Sequence, residues 1–146
     1  MESRIDYAAA SPDAMKAMMA LEGAMRRLGL EQPLVELIKL RASQINGCAF
    51  CVDMHTTDAL KAGETERRLN SVVTWREAPF FTARERAALG WTEALTLISE
   101  THAPDTDYEA LRAQFTEAEM VNVTLAIATI NCWNRLAIGF RKPLPE

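Results

Sequence analysis

Three stretches of the chain share one pattern: Thr82-Ala-Arg-Glu85, Thr106-Asp-Tyr-Glu109 and Thr116-Glu-Ala-Glu119. Each places a threonine hydroxyl three residues before a glutamate and ahead of an apolar-periodic run. That is the pattern of a capping box, in which the two ends of a helix's first turn satisfy each other's free N–H groups. Three helix starts in the C-terminal half leave little room for strands. The N-terminal half agrees. Ser11-Pro12 reads as an N-cap followed by proline in the first turn, opening a helix that runs to Leu28 with Gly29 as its stop. Pro33 opens a second helix ended by Asn46-Gly47. A third spans 48–63 and a shorter fourth spans 65–75. No alternating segment bounded by turn residues is present, so the expected fold class is all-α.

With 146 residues the chain reads as one domain, 1–146, long enough to bury its own core. Its net charge of −4 and scattered basic residues exclude nucleic acid and anionic membranes as main partners. The N-terminus lacks an apolar signal region, and the longest apolar stretch, near Val121–Ile130, is interrupted by Asn122 and Thr124. A soluble, cytoplasmic protein is expected. The last helix, Glu117 to Ile138, is apolar on two stripes. One holds Val121, Leu125, Ala128 and Cys132; the other holds Met120, Val123, Ile127 and Ile130. Such a helix is buried on several sides, which in a small all-α chain points to a subunit interface. Cys132 then reads as a packed hydrophobe. The methionines of the first helix read as core or interface packing.

The chemistry concentrates in Cys-Ala-Phe-Cys-Val-Asp-Met-His, residues 48–55. On a helix Cys48, Cys51 and His55 fall on one face. A thiol in the first turn is favoured as thiolate by the helix dipole and free N–H groups. His55, one turn beyond Cys51, is placed to move a proton. Two thiols and a proton carrier meet the needs of peroxide reduction or disulfide exchange, with one sulfur attacking and the other resolving. No cofactor is required, because sulfur carries the electrons. Three readings stay open beside this one. They are two buried structural thiols, a zinc site using Cys48, Cys51, His55 and either Cys132 or His102, and a Glu36/His55 acid–base pair acting on a small organic substrate. The zinc reading would make the chain a redox-sensing or metal-binding assembly protein.

Glu36 lies on the preceding helix among Leu34, Val35, Leu37, Ile38 and Leu40. Partial burial there would raise its pKa toward that of a general base. Ser43 is two turns further along the same face. Asp58, one turn after His55, is a candidate to orient the imidazole, and Phe50 or Trp133 to line an apolar wall.

The stretch ELIKLRASQINGCAFCVDMH resembles the signature of the alkyl hydroperoxidase D-like branch of the carboxymuconolactone decarboxylase family. Glu36, Ser43, Asn46, Cys48, Cys51 and His55 stand at the spacings of that signature. The resemblance continues through Trp75–Thr96 and Ile130–Phe140. It implies an all-α, single-repeat subunit that assembles into a homo-oligomer, commonly a hexamer built as a trimer of dimers. It further implies peroxide reduction with Cys51 as the peroxidatic thiol, Cys48 as the resolving thiol, and His55 with Glu36 as the proton relay, without metal or cofactor. The partners it implies are a hydroperoxide and a dithiol reductant, thioredoxin-like or lipoyl-bearing. The chain departs from the pattern at Phe50, where peroxidase members carry a second histidine. The decarboxylase branch lacks the cysteine pair, so lactone decarboxylation is not expected.

Overall fold

A computed structural model describes residues 2–144, and among them no strand occurs. The elements are α1 (Tyr7–Ala10), α2 (Pro12–Met25), α3 (Gln32–Asn46), α4 (Ala49–Lys61), α5 (Glu66–Ser71) with a 3-10 turn at Val72–Thr74, α6 (Ala83–Thr96), α7 (Ile98–Thr101), α8 (Asp105–Arg112) and α9 (Glu117–Phe140).

Two of the three capping boxes form. Thr82 accepts from the Glu85 N–H at 3.2 Å while Glu85 accepts from the Thr82 N–H at 2.8 Å. Thr116 and Glu119 do the same at the start of α9. The third does not form. Pro104, extended at ψ 149, is the N-cap of α8, so Thr106 is already inside the first turn and cannot cap it. Asp105 and Asp107 stand in that turn instead, where the helix dipole favours negative charge. The first long helix ends at Met25, earlier than its periodicity suggests, and Gly29 turns the chain at φ +85. The last runs two residues past Ile138, to Phe140.

Helix α3 is the axis of the molecule and packs against α4, α6 and α9. Leu34 and Ile38 meet Trp91 of α6 and Ile127 of α9. Leu37 and Leu40 meet Leu69, Val72 and Trp75 on another side. Near its C-terminal end Ala42 packs with Cys48, Cys51, Ile130 and Ala137. A helix enclosed on three sides tolerates polar residues only where they find partners. That is why its polar residues carry information about the site.

Helix α9 is buried along Met120, Val123, Ile127 and Ile130, but the stripe of Val121, Ala128 and Cys132 is exposed. Cys132 is thus not a packed core residue: it is exposed, and its sulfur touches only the edge of α2, at Met18 Sδ 3.8 Å away. Among the described residues α9 is the helix that is long and apolar enough to cross a bilayer, and 44% of its most apolar window is buried inside the bundle. Helix α2 contributes no fully buried residue. Met15, Met18 and Met25 are half-buried there and Met19 is 61% exposed.

Candidate active site

The site begins where α3 stops. Gly47 takes the left-handed conformation at φ +69, its N–H bonding the Gln44 carbonyl, while the Cys48 N–H bonds the Ser43 carbonyl at 2.9 Å. This tight exit makes Cys48 the N-cap of α4, one residue before the helix proper, and Cys51 a member of its first turn. Both cysteines are almost fully buried, at 1% and 2% exposure, and their sulfurs lie 2.7 Å apart.

That contact divides the charge unequally. The hydrogen bond shared by the two sulfurs, against the cost of burial, brings the Cys48 thiol down from its ordinary 9.0 to about 7. The Cys51 N–H and the Asn134 amide add to the effect. The same hydrogen bond, together with burial and the neighbouring charge, pushes the Cys51 thiol up. The first thiolate of the pair therefore sits on Cys48, at the helix N-terminus.

One turn on, His55 is buried and its Nδ1 lies 2.8 Å from Glu36 Oε2. Glu36 also accepts from Gln32 Nε2 at 2.6 Å, so both carboxylate oxygens are engaged. Burial raises the Glu36 carboxyl, but the hydrogen bond and charge of His55, with Lys39 and Gln32, outweigh it and hold it below its usual range. The expectation of a raised, base-like Glu36 is corrected: it stays a carboxylate, and its partners are the reason. When the ring is neutral, a carboxylate at Nδ1 keeps the proton on that nitrogen and leaves Nε2 as the acceptor. Nε2 is buried and has no hydrogen-bond partner. Glu36, not Asp58, orients the ring; Asp58 is exposed.

Cys51, His55, Glu36, Phe50 and Asp58 all line one cavity of about 290 Å³, together with Trp133 and methionines 19, 25 and 54. Cys48 does not line it and lies behind Cys51. Ser43 and Asn46 do not line it either. They bond α9: Asn46 Nδ2 donates to Asn131 and Asn134 at 2.9 Å each, and Asn134 Nδ2 donates to Ser43 Oγ at 3.0 Å. Sequence reasoning passed over Asn131 and Asn134. Two asparagines three apart in an apolar helix are the signal that could have found them. It also passed over a buried pair deeper in the cavity, where Lys39 Nζ meets Glu22 at 2.9 Å and Trp133 Nε1 donates to Glu22 at 3.0 Å. Nothing in sequence spacing couples those three. Among the described residues no three His, Cys, Asp or Glu side chains gather as a metal-ligand set. Cys132 faces out from α9 and His102 is exposed, so neither completes a zinc site.

Fold and site together define an all-helical thiol protein whose Cys-X-X-Cys pair backs onto a histidine-bearing cavity. Residues 12–94 match the model of the carboxymuconolactone decarboxylase family, and the chain belongs to that family. It is 43% identical over 139 residues to the uncharacterized protein YdfG of Bacillus subtilis, covering 95% of both chains. A crystal structure of a protein of unknown function from Agrobacterium tumefaciens, a proposed antioxidant defence protein AhpD, superposes at a TM-score of 0.96 with 53% identity over 99% of each chain. The fold is also that of the debrominase Bmp8, with a TM-score of 0.82 and 18% identity over 94% of this chain and 74% of that one.

Proposed function

We propose that the protein is a thiol-dependent reductase of organic hydroperoxides. The observation that carries this reading is the sulfur pair at 2.7 Å, with Cys51 facing the cavity beside a histidine whose second nitrogen is buried and unpartnered. The proton between the two sulfurs crosses a short contact, so the charge held on Cys48 exchanges onto Cys51, the sulfur the substrate meets. The Cys51 thiolate attacks the distal peroxide oxygen and the O–O bond breaks. The distal oxygen passes to Cys51, which becomes a sulfenic acid, and the alkoxide takes a proton from solvent and leaves as the alcohol. His55 Nε2 takes the proton that Cys48 sheds as its thiolate attacks the Cys51 sulfur, and returns it to the departing hydroxide as water. Two electrons pass from the thiols to the peroxide, and a disulfide remains. Its closure shortens the sulfur separation to ~2.05 Å. A dithiol reductant restores the pair. Glu36 acts through His55 as a positioning residue.

We further infer that the subunit works as a homo-oligomer, a trimer of dimers. The support is an α2 without fully buried residues and the exposed apolar stripe of α9.

The test is stopped-flow oxidation of the reduced protein by a hydroperoxide, with free thiols counted before and after. Loss of two thiols at a rate far above that of a free thiol, absent in Cys51→Ser, is the expected result. A wild-type rate equal to that of a free thiol ends the peroxidase reading.

A further inference from the structure

We propose that Lys142 makes the mouth of the cavity a receptor for a negatively charged group, so that the substrates of the Cys51 site are hydroperoxides bearing a carboxylate or like anion close to the peroxide. The inference deepens the function proposed above and rests on it for the word hydroperoxide. The anion site itself stands on separate observations.

Most charge in the cavity wall is already matched. Lys39 is paired with Glu22, and Glu36 is held by His55 and Gln32. Three lining charges pair with no opposite side chain among the described residues: Arg26, Lys142 and Asp58. Of the two cations, Lys142 is the one held against the start of α4, where Cys51 stands. Its ammonium stands 4.3 Å from the centroid of Phe50, the residue next to Cys51, and 5.5 Å from that of Tyr7. Two ring faces hold a cation in place without neutralising it. Among the described residues no carboxylate or carbonyl takes an N–H of this ammonium, so a donor not turned to the rings is open to an incoming anion. The charge is felt at the reacting atom too, since Lys142 lowers the Cys51 thiol.

Its position is built. Arg141 takes the left-handed conformation at φ 55 and ends α9, and the Lys142 N–H turns back onto the Ala137 carbonyl at 2.9 Å. The N-terminal segment then clamps this end. The Arg4 N–H and guanidinium bond the Phe140 and Gly139 carbonyls at 3.1 and 2.9 Å, and the Tyr7 ring meets that of Phe140 in a tilted contact at 5.9 Å. Apolar side chains of Met25, Leu30 and Val35 line the cavity as well, and the charges deeper in it, Lys39 and Glu22, are spent on each other. A molecule matching this shape has an apolar body and an anionic group near its reactive end. Asp58 opposes binding of that anion, but it lies on α4 beyond His55, whereas Lys142 adjoins Phe50.

The test uses two alkylating reagents of nearly one size. Iodoacetate carries a carboxylate one carbon from the reacting centre, and iodoacetamide is its neutral twin. In both, a sulfur–carbon bond forms and iodide leaves with the bonding pair, so no peroxide turnover is needed. Rates are followed on the reduced protein by counting label on the peptide that bears Cys48 and Cys51. Lys142→Met is expected to lower the ratio of iodoacetate to iodoacetamide rates by roughly five- to tenfold, the size of one charge interaction across a part-screened mouth. Lys142→Arg should restore the ratio, and salt should erode it in wild type. If Lys142→Met slows both reagents equally, Lys142 serves the sulfur alone and the anion site is withdrawn. An unchanged ratio withdraws it as well. Failure of the peroxide experiment with this ratio intact would remove the word hydroperoxide and leave the anion site standing.

Discussion

Asn134 decides the character of the sulfur pair at the level of single atoms. Its Oδ1 is taken by the Asn46 amide, so its Nδ2 faces Ser43 and, beyond it, the two sulfurs. The orientation of the amide follows from the network around it. An N–H donor favours thiolate; an acceptor in the same place would oppose it. Asn134→Asp, which keeps the shape and removes the donor, should move the thiolate titration of the reduced protein, with its midpoint of about 7 in wild type, upward by about one unit or more. Ultraviolet thiolate absorbance against pH reads this directly. The same lowered thiol links to stability. Below pH 7 Cys48 is protonated in both folded and unfolded chains, and above 9.0 it is ionised in both. Between those limits only the folded chain is ionised. The reduced protein should therefore gain stability as pH rises across that window, by on the order of 1–2 kcal/mol relative to Cys48→Ser, and lose it as pH falls. Denaturant titrations at the two ends of the window measure the difference. A stability difference that does not change with pH would mean that Cys48 does not carry the charge.

Helix starts can be compared with one another inside this single chain. Thr82→Ala and Thr116→Ala each remove a formed capping bond and should cost about 1 kcal/mol in urea unfolding. Thr106→Ala removes none and should stay within about 0.5 kcal/mol of wild type. The contrast also marks how far the sequence could be read. The Thr-x-x-Glu pattern gave two true starts because nothing upstream competes for the N-cap. It misled at 106 because Pro104, two residues earlier, fixes an extended backbone and claims the cap for itself. Helix content, the stops at Gly47 and Gly63, and the shared face of Cys51 and His55 were legible from local rules. The Glu36–His55 contact joins residues 19 apart, which the sequence offered as one open pairing and the family signature then favoured. The Asn46–Asn134 bond at a separation of 88, and the Glu22–Lys39–Trp133 cluster, depend on how α2, α3 and α9 lie together. No local pattern encodes that arrangement. The ionisation of Glu36 was misread for a related reason. Burial alone raises a carboxyl, and the partners that reverse the effect come from distant parts of the chain.

Taken whole, the subunit has one well-covered side and one that is bare. Val121 is 65% exposed and Ile98 54% on the bare side, where α9 runs beside α7. If the proposed oligomer uses this face, Val121→Glu should lower the mass measured by sedimentation while leaving the helical circular dichroism intact. An unchanged mass would move the interface elsewhere, toward α2. The opposite side closes differently. Arg4, near the start of the described chain, holds the end of α9, and Tyr7 and Lys142 both stand in the cavity wall. The first and last parts of the described chain therefore meet at the mouth of the cavity. Sequence placed next to Arg4 or Lys142, such as an affinity tag or a tether to a surface, would hang beside that mouth. A histidine-rich or acidic tail there would bring its own bases and charges to a site that depends on both. Rates taken with such a tail attached would report on the tail as well as on the site, so the protein without it is the proper reference for every kinetic comparison above.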